Sequence, residues 1–291
     1  MGLMNLKSVL EPAWKQSYAV GSFNVINSAF ADAIVDAGER TSAPLILSVA
    51  EVHLKYMKLE QIAAYLRDVA VRTPLPTVIH LDHGSSPDVI QRAVQSGFTS
   101  VMFDGSALSF DDNVEQTRRV VELCGPLGIS VEAELGAVGG SEDGLGGQAD
   151  PDLFTNPELV HQFVSQTGID ALAVAIGNVH GRYKGEPQLD FERLNDIKQE
   201  AQIPLVLHGG SGISETDFRR AIGLGISKVN VFTSMAEAGG RTTKALLEQA
   251  GDNCPDYPEL LEDVRQSISS VVEEHIEIFG GRGKANQENS I

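Results

Sequence analysis

The sequence predicts a single closed (β/α)8 TIM barrel, an α/β fold with its active site at the C-terminal face of the strands. Three observations carry this expectation. Eight short β-branched apolar runs recur along the chain, amphipathic helix-length stretches separate them, and histidines, carboxylates and glycines gather where the runs end. At 291 residues the chain falls within the size that such barrels reach as one domain. The domain is placed at 1–279, with the Gly/polar stretch 280–291 as a flexible tail.

The runs lie at 19–24, 45–50, 77–82, 100–104, 130–135, 171–177, 205–209 and 228–233. Helix-length stretches occupy 28–41, 59–72, 86–96, 112–127, 157–167 and 214–223, and several open on a capping residue whose side chain can accept from a first-turn N–H. A doubly wound open sheet would show the same alternation, so the count of eight selects the closed barrel. Two insertions, 136–149 after the fifth run and 178–185 after the sixth, would emerge on the face where barrel enzymes do their chemistry.

Composition narrows the function classes. With 22 Lys+Arg against 40 Asp+Glu the formal charge is −18, which disfavours nucleic acid and anionic membranes. Residues 1–15 lack the apolar core of a signal peptide, and no uncharged apolar run approaches about 18 residues, so a cytoplasmic protein is expected. Cys124 and Cys254 are too few for a disulfide framework or a cysteine zinc site.

Three histidines stand at predicted strand ends: His83 in L-D-H-G, His180 in G-N-V-H-G and His208 in L-H-G-G-S-G. Three imidazoles aimed at one point would hold Zn²⁺ with a coordination position open, which suits a Lewis acid acting on a carbonyl. Asp82, Asp104, Glu132 and Glu134 crowd the same ends, where a cation or its ligands would compensate them. His53, His161 and His275 lack such neighbours and read as ordinary, while His80 reads as a core or supporting residue. The seventh and eighth runs end in H-G-G-S-G and N-V-F-T-S, where barrels hold phosphate on backbone N–H groups. Such a nest binds a dianion without Lys or Arg, answering the problem set by the acidic chain.

Taken in order, L-D-H-G, M-F-D-G-S, V-E-A-E-L-G followed by G-G-S-E-D, G-N-V-H-G-x-Y, L-H-G-G-S-G and K-V-N-V-x-T resemble the class II fructose/tagatose-bisphosphate aldolase family over nearly the whole chain. The resemblance implies a lyase that cleaves a phosphorylated ketose, a 1,6-bisphosphate of the fructose or tagatose type, to dihydroxyacetone phosphate and glyceraldehyde 3-phosphate. His83, His180 and His208 would be its zinc ligands, one ion per subunit, with Asp82 the proton donor to the aldehyde oxygen. Glu142, with Asp143 as fallback, would move the proton at carbon 3. Asn24, Gly181, Lys184, Gly209, Gly210, Ser211, Asn230 and Thr233 would bind the substrate and its carbon 1 phosphate, with Na⁺ or K⁺ nearby. Asp104 and Glu134 would stand near the zinc, as support or as ligands of a displaced metal. The family's habit implies a homodimer or homotetramer.

One departure affects the far end of the sugar. Many family members follow the eighth strand with an acid and then a basic residue, whereas Phe232, Ser234, Met235 and Ala236 occupy that stretch here. A ketose 1-phosphate without the second phosphate therefore stays open, with Phe232 a less polar wall and Arg282 a candidate charge from another helix or subunit. A barrel zinc hydrolase and a noncatalytic partner subunit are the more distant alternatives; the phosphate nest argues against the first and the intact His/Asp set against the second.

Overall fold

The computed structural model describes residues 2–140 and 147–285. In chain order the elements are α1 (Leu6–Gln16), β1 (Val20–Asn24), α2 (Ser28–Thr41), β2 (Leu45–Ala50), α3 (Leu59–Arg72), β3 (Thr77–Gly84), α4 (Pro87–Ser96), β4 (Ser100–Phe103), α5 (Phe110–Cys124), β5 (Ser130–Leu135), α6 (Pro157–Thr167), β6 (Ala171–Val174), α7 (Phe191–Ala201), β7 (Leu205–Leu207), α8 (Glu215–Gly223), β8 (Ile226–Val231), α9 (Thr233–Ala250) and α10 (Tyr257–Ile278). The eight strands pair in parallel and in order, and β8 returns to β1 to close the barrel. Strands such as β1, β2 and β5 are buried at every position, as expected where helices cover one face and the barrel fills the other.

Local chemistry sets the helix starts. Asn27, Ser86, Ser109, Asn156, Asp190 and Ser214 each accept a first-turn N–H with their side chain, which fixes where each of these helices begins. The interior is layered. At the N-terminal end, Val20, Ile46, Val78, Met102, Ala171, Ala173 and Val206 form an apolar plug with Leu6, Val9, Leu10 and Ala13 of α1. Two residues further along their strands, Ser22, Ser48, His80 and His208 replace apolar side chains, and all are buried. Polar material so deep must serve one another or the open end above.

Differences from expectation have physical causes. The sixth run stops being strand at Val174, because the Asn178 side chain accepts the Ile176 N–H and turns the backbone out of the sheet. The eighth strand ends at Val231, and Thr233 already begins α9. The expected tail is docked at its start: Gly283 and Ala285 donate backbone N–H groups to the Thr41 and Ser42 carbonyls, and Lys284 lies over the Tyr18 ring. This places Arg282, which pairs with Glu277, at the N-terminal end of the barrel, so it brings no charge to its own chain's strand C-termini. Among the described residues no helix is long and apolar enough to cross a membrane.

Candidate active site

Asp82 and His83 are neighbours on β3, and neighbours on a strand normally face opposite sides. Both serve one site because the strand breaks its own rule. The pairing of β3 with β4 shifts register between Leu81 and Gly84, and His83 sits in the left-handed region at φ 49°. The backbone twist swings the imidazole to the barrel mouth beside the Asp82 carboxylate. His180 comes from the loop after β6 and His208 follows β7 directly.

The three rings converge. Centroids of His83 and His208 lie 4.6 Å apart, those of His83 and His180 4.9 Å, and those of His180 and His208 5.7 Å. Carboxylates behind two of the rings define their tautomers. His83 Nδ1 donates to Asp104 Oδ2 at 2.8 Å, and His208 Nε2 donates to Glu132 Oε1 at 2.9 Å. The remaining nitrogens, His83 Nε2 and His208 Nδ1, then face each other as lone pairs across 2.8 Å. Burial, the largest cause, with the Lys228 charge adding to it, keeps the His208 pKa well below the ordinary histidine range. Two neutral imine nitrogens so close repel unless a cation lies between them or beside them. With His180 completing a set whose ligand atoms lie within 4.8 Å of one another, the residues fit a divalent ion bound by three imidazoles.

The acids divide by environment. Burial alone would raise the Asp104 pKa, but hydrogen bonds from His83 and Ser106 outweigh it and hold the carboxylate well below its usual range. Glu134 goes the other way. Burial and the nearby Asp104 charge raise it to about 7, and while Oε1 accepts the Val138 N–H, Oε2 has no hydrogen-bond partner among the described residues. His83, Asp104 and Glu134 form a second group with ligand atoms within 4.8 Å of one another. Asp82 is fully buried and accepts two amide hydrogen bonds at 2.9 Å, from Asn24 on Oδ2 and Asn230 on Oδ1. Asn24 and Asn230 thus fix the proposed acid in place as well as lining the pocket.

That pocket is lined by Asn24, His180, Gly181, Gly209, Gly210, Ser211, Asn230, Phe232 and Thr233. Gly209 has φ 65°, and a Cβ there would stand 2.0 Å from the Val179 carbonyl oxygen, so only glycine lets the chain after His208 pass so close. The α9 N-terminus opens onto the same pocket with no side chain capping its first turn, apart from Ser211 Oγ accepting the Ser234 N–H. Backbone N–H groups and the helix dipole make this an anion cradle. Tyr183 staples it to the metal-binding loop: its hydroxyl donates to the Gly209 carbonyl and accepts the Val179 N–H, both at 3.1 Å. The Asn178 side chain donates to the His208 carbonyl at 3.1 Å, and His180 N–H donates to Gly139 O at 2.7 Å.

Of the expected site residues, the structure brings together Asp82, the three histidines, Asp104, Glu134, Asn24, Gly181, Gly209, Gly210, Ser211, Asn230 and Thr233. Lys184 is exposed and lines a neighbouring cleft with Gln148, Phe154 and Pro187, outside the pocket lined by the other expected residues. Glu142 and Asp143 lie outside the described residues. His80 is buried with Nδ1 at 2.9 Å from Ser100 Oγ, as a core residue should be. His53 is more than ordinary, since it is buried against the pocket-wall residue Phe232 with ring centroids 4.3 Å apart. The residue that sequence reasoning missed is Lys228, fully buried and 2.9 Å from Glu132. Its signal was a charge at an inward position of an otherwise apolar run.

Fold and site define the class, a (β/α)8-barrel enzyme with a histidine triad and a buried carboxylate set beside a glycine-built anion cradle. The family description "Fructose-bisphosphate aldolase class-II" matches residues 4–284. Fructose-bisphosphate aldolase of Staphylococcus aureus (strain Mu50 / ATCC 700699) is 39% identical over 290 residues, covering 98% of this chain and all of the relative, and that of Geobacillus stearothermophilus is 40% identical over 292 residues, covering 99% and all of it. The crystal structure of the YdjI aldolase from Escherichia coli K12 superposes with TM-score 0.88 at 35% identity, over 98% of this chain and all of that one. A putative fructose-1,6-bisphosphate aldolase from Coccidioides immitis superposes with TM-score 0.85 at 31% identity, over 97% and 98%. The chain belongs to the class II fructose-bisphosphate aldolase family, and it is an aldolase, a lyase.

Proposed function

We propose that the chain reversibly cleaves a ketose 1,6-bisphosphate, of the fructose or tagatose type, to dihydroxyacetone phosphate and glyceraldehyde 3-phosphate, with Zn²⁺ as its resident metal. The observation that carries this reading is the convergence of three imidazoles and Asp82 beside the cradle formed after β7 and β8. His83, His180 and His208 would hold the ion, which when bound supplies a Lewis acid for the ketone carbonyl.

The chain's own residues do the rest. Gly209, Gly210, Ser211, Thr233 and the start of α9 bind the carbon 1 phosphate and so fix where the ketone lies. Asp82, held by Asn24 and Asn230, takes the proton from the carbon 4 hydroxyl as the bond between carbons 3 and 4 breaks, and returns it in the reverse direction. Glu142 delivers a proton to carbon 3 of the departing dihydroxyacetone phosphate. Asp104 and Glu132 accept from the histidine rings and keep each donor nitrogen aimed inward. Cytoplasmic residence belongs to the same reading, and a homodimer or homotetramer and Na⁺ or K⁺ beside the phosphate rest on the family alone.

A ketose 1-phosphate is favoured by one observation: the pocket lining contains Phe232 and no Lys or Arg, and Arg182 in the adjoining cleft is tied to Glu237 at 2.5 Å. The test is a coupled assay for dihydroxyacetone phosphate release from ketose 1,6-bisphosphates and the matching 1-phosphates, with and without chelator. Chelator-sensitive release is expected, with the bisphosphate preferred. Equal or better turnover of the 1-phosphate would move the substrate to the second reading, and chelator-insensitive release would overturn the metal.

A further inference from the structure

Lys228 has no part in the steps above, yet it is among the largest fully buried side chains of the protein. From β8 it reaches across the barrel to Glu132 on β5, with Nζ 2.9 Å from Oε2 and 3.1 Å from Oε1. Glu132 Oε1 in turn accepts from His208 Nε2 at 2.9 Å, and all three side chains are shielded completely from solvent. His208 then presents Nδ1 to the other two imidazoles.

We infer that Lys228 is a positioning residue for the metal, acting through Glu132 to hold the His208 ring in the tautomer and orientation that direct Nδ1 at the ion. A carboxylate taken this deep needs a counter-charge to stay a strong acceptor, and a strong acceptor behind an imidazole both fixes its proton and strengthens its opposite nitrogen as a donor. The partner of His83 gets its support differently. Asp104 is half-buried near the mouth and accepts both the N–H and the hydroxyl of Ser106, at 3.1 and 2.6 Å. Glu132 lies too deep for such a turn, and Lys228 takes its place. A purely space-filling role does not call for this pair, since buried ion pairs rarely outdo apolar residues of like volume, and apolar residues fill the barrel one layer below.

The inference rests on the reading that the three histidines hold a metal. The test uses the full chain as wild type, Lys228→Met, and the double variant Lys228→Met with Glu132→Gln, which leaves no uncompensated buried charge. Zinc affinity is measured by competition with a chromogenic chelator, the cobalt(II)-loaded visible spectrum reports ligand geometry, and melting of the metal-free proteins reports folding. Each folded variant should bind zinc about 10- to 100-fold more weakly, the usual effect of losing such support, with shifted cobalt bands. Wild-type zinc affinity and an unchanged cobalt spectrum in either folded variant would overturn the inference; if Lys228→Met does not fold, the double variant decides. Absence of zinc binding by the wild type would instead overturn the three-histidine reading on which it stands.

Discussion

Replacing Asp82 by asparagine keeps the volume of the side chain and removes its charge and basicity. Its two oxygens accept from Asn24 and Asn230, so one carboxamide NH₂ in the variant must confront an amide that was donating. The conflict has a ready exit, because Asn24 Oδ1 has no hydrogen-bond partner among the described residues and a flip of that amide presents it to the new NH₂. The structural cost is therefore one charge-assisted hydrogen bond exchanged for a neutral one, about 1 kcal/mol. Losing a positioned acid–base group costs far more, roughly 10²- to 10⁴-fold in rate, or about 3–5 kcal/mol in the barrier. Cleavage of the ketose phosphate should fall by that factor while zinc stoichiometry holds. Exchange of the carbon 3 hydrogen of dihydroxyacetone phosphate with solvent, which involves no carbon 4 hydroxyl, should survive. The assay pair is coupled product release and isotope exchange on the same preparation. Exchange lost in parallel with cleavage would refute the assignment of Asp82 to the carbon 4 proton, as would a cleavage rate within about threefold of wild type.

The raised pKa of Glu134, about 7 against an ordinary 4.5, makes the metal-free protein lose stability as pH rises through 7, because the unfolded chain has already released that proton and the folded one must release it in a buried site. Glu134→Gln should therefore melt like wild type near pH 4.5 and be more stable by about 3 kcal/mol at about pH 8; equal melting at both would show that the carboxyl is not neutral in the fold. Gly209→Ala sets a Cβ 2.0 Å from a carbonyl oxygen at a left-handed φ, so the loop must move. Competitive inhibition by inorganic phosphate should weaken about tenfold or more while zinc binding persists, and unchanged inhibition would place the phosphate elsewhere.

The barrel was legible because its strands are short apolar runs and each run ends in residues too polar for a core, so eight repeats of one physical pattern stood out. Leu6, Val9, Leu10 and Ala13 carry an equally plain helical period, but α1 has no strand before it and so fell outside that repeat. Helices α9 and α10 follow the last run, so no further strand closed them into the alternation. In the site, the histidines and the cradle were readable because glycine and histidine at strand ends have few structural uses. Lys228 was not, because a lone lysine in a strand ordinarily belongs to a solvated face and only the tertiary pairing with Glu132 reveals its direction. Lys184, a basic residue in an active-site loop, suggests phosphate from sequence, whereas its exposed position in the neighbouring cleft is set by the loop's path and is not readable there.

Helix α1 precedes every strand of the barrel in sequence, yet the apolar groove that receives it is built from residues as distant as Ala171, Ala173 and Val206. It has no binding surface until the sheet has come round on itself, so its docking is a long-range event that must come late in folding. This helix therefore acts as a keystone, and substitutions in it should register as slower closure and faster unfolding of the whole barrel, far from where the sequence was changed.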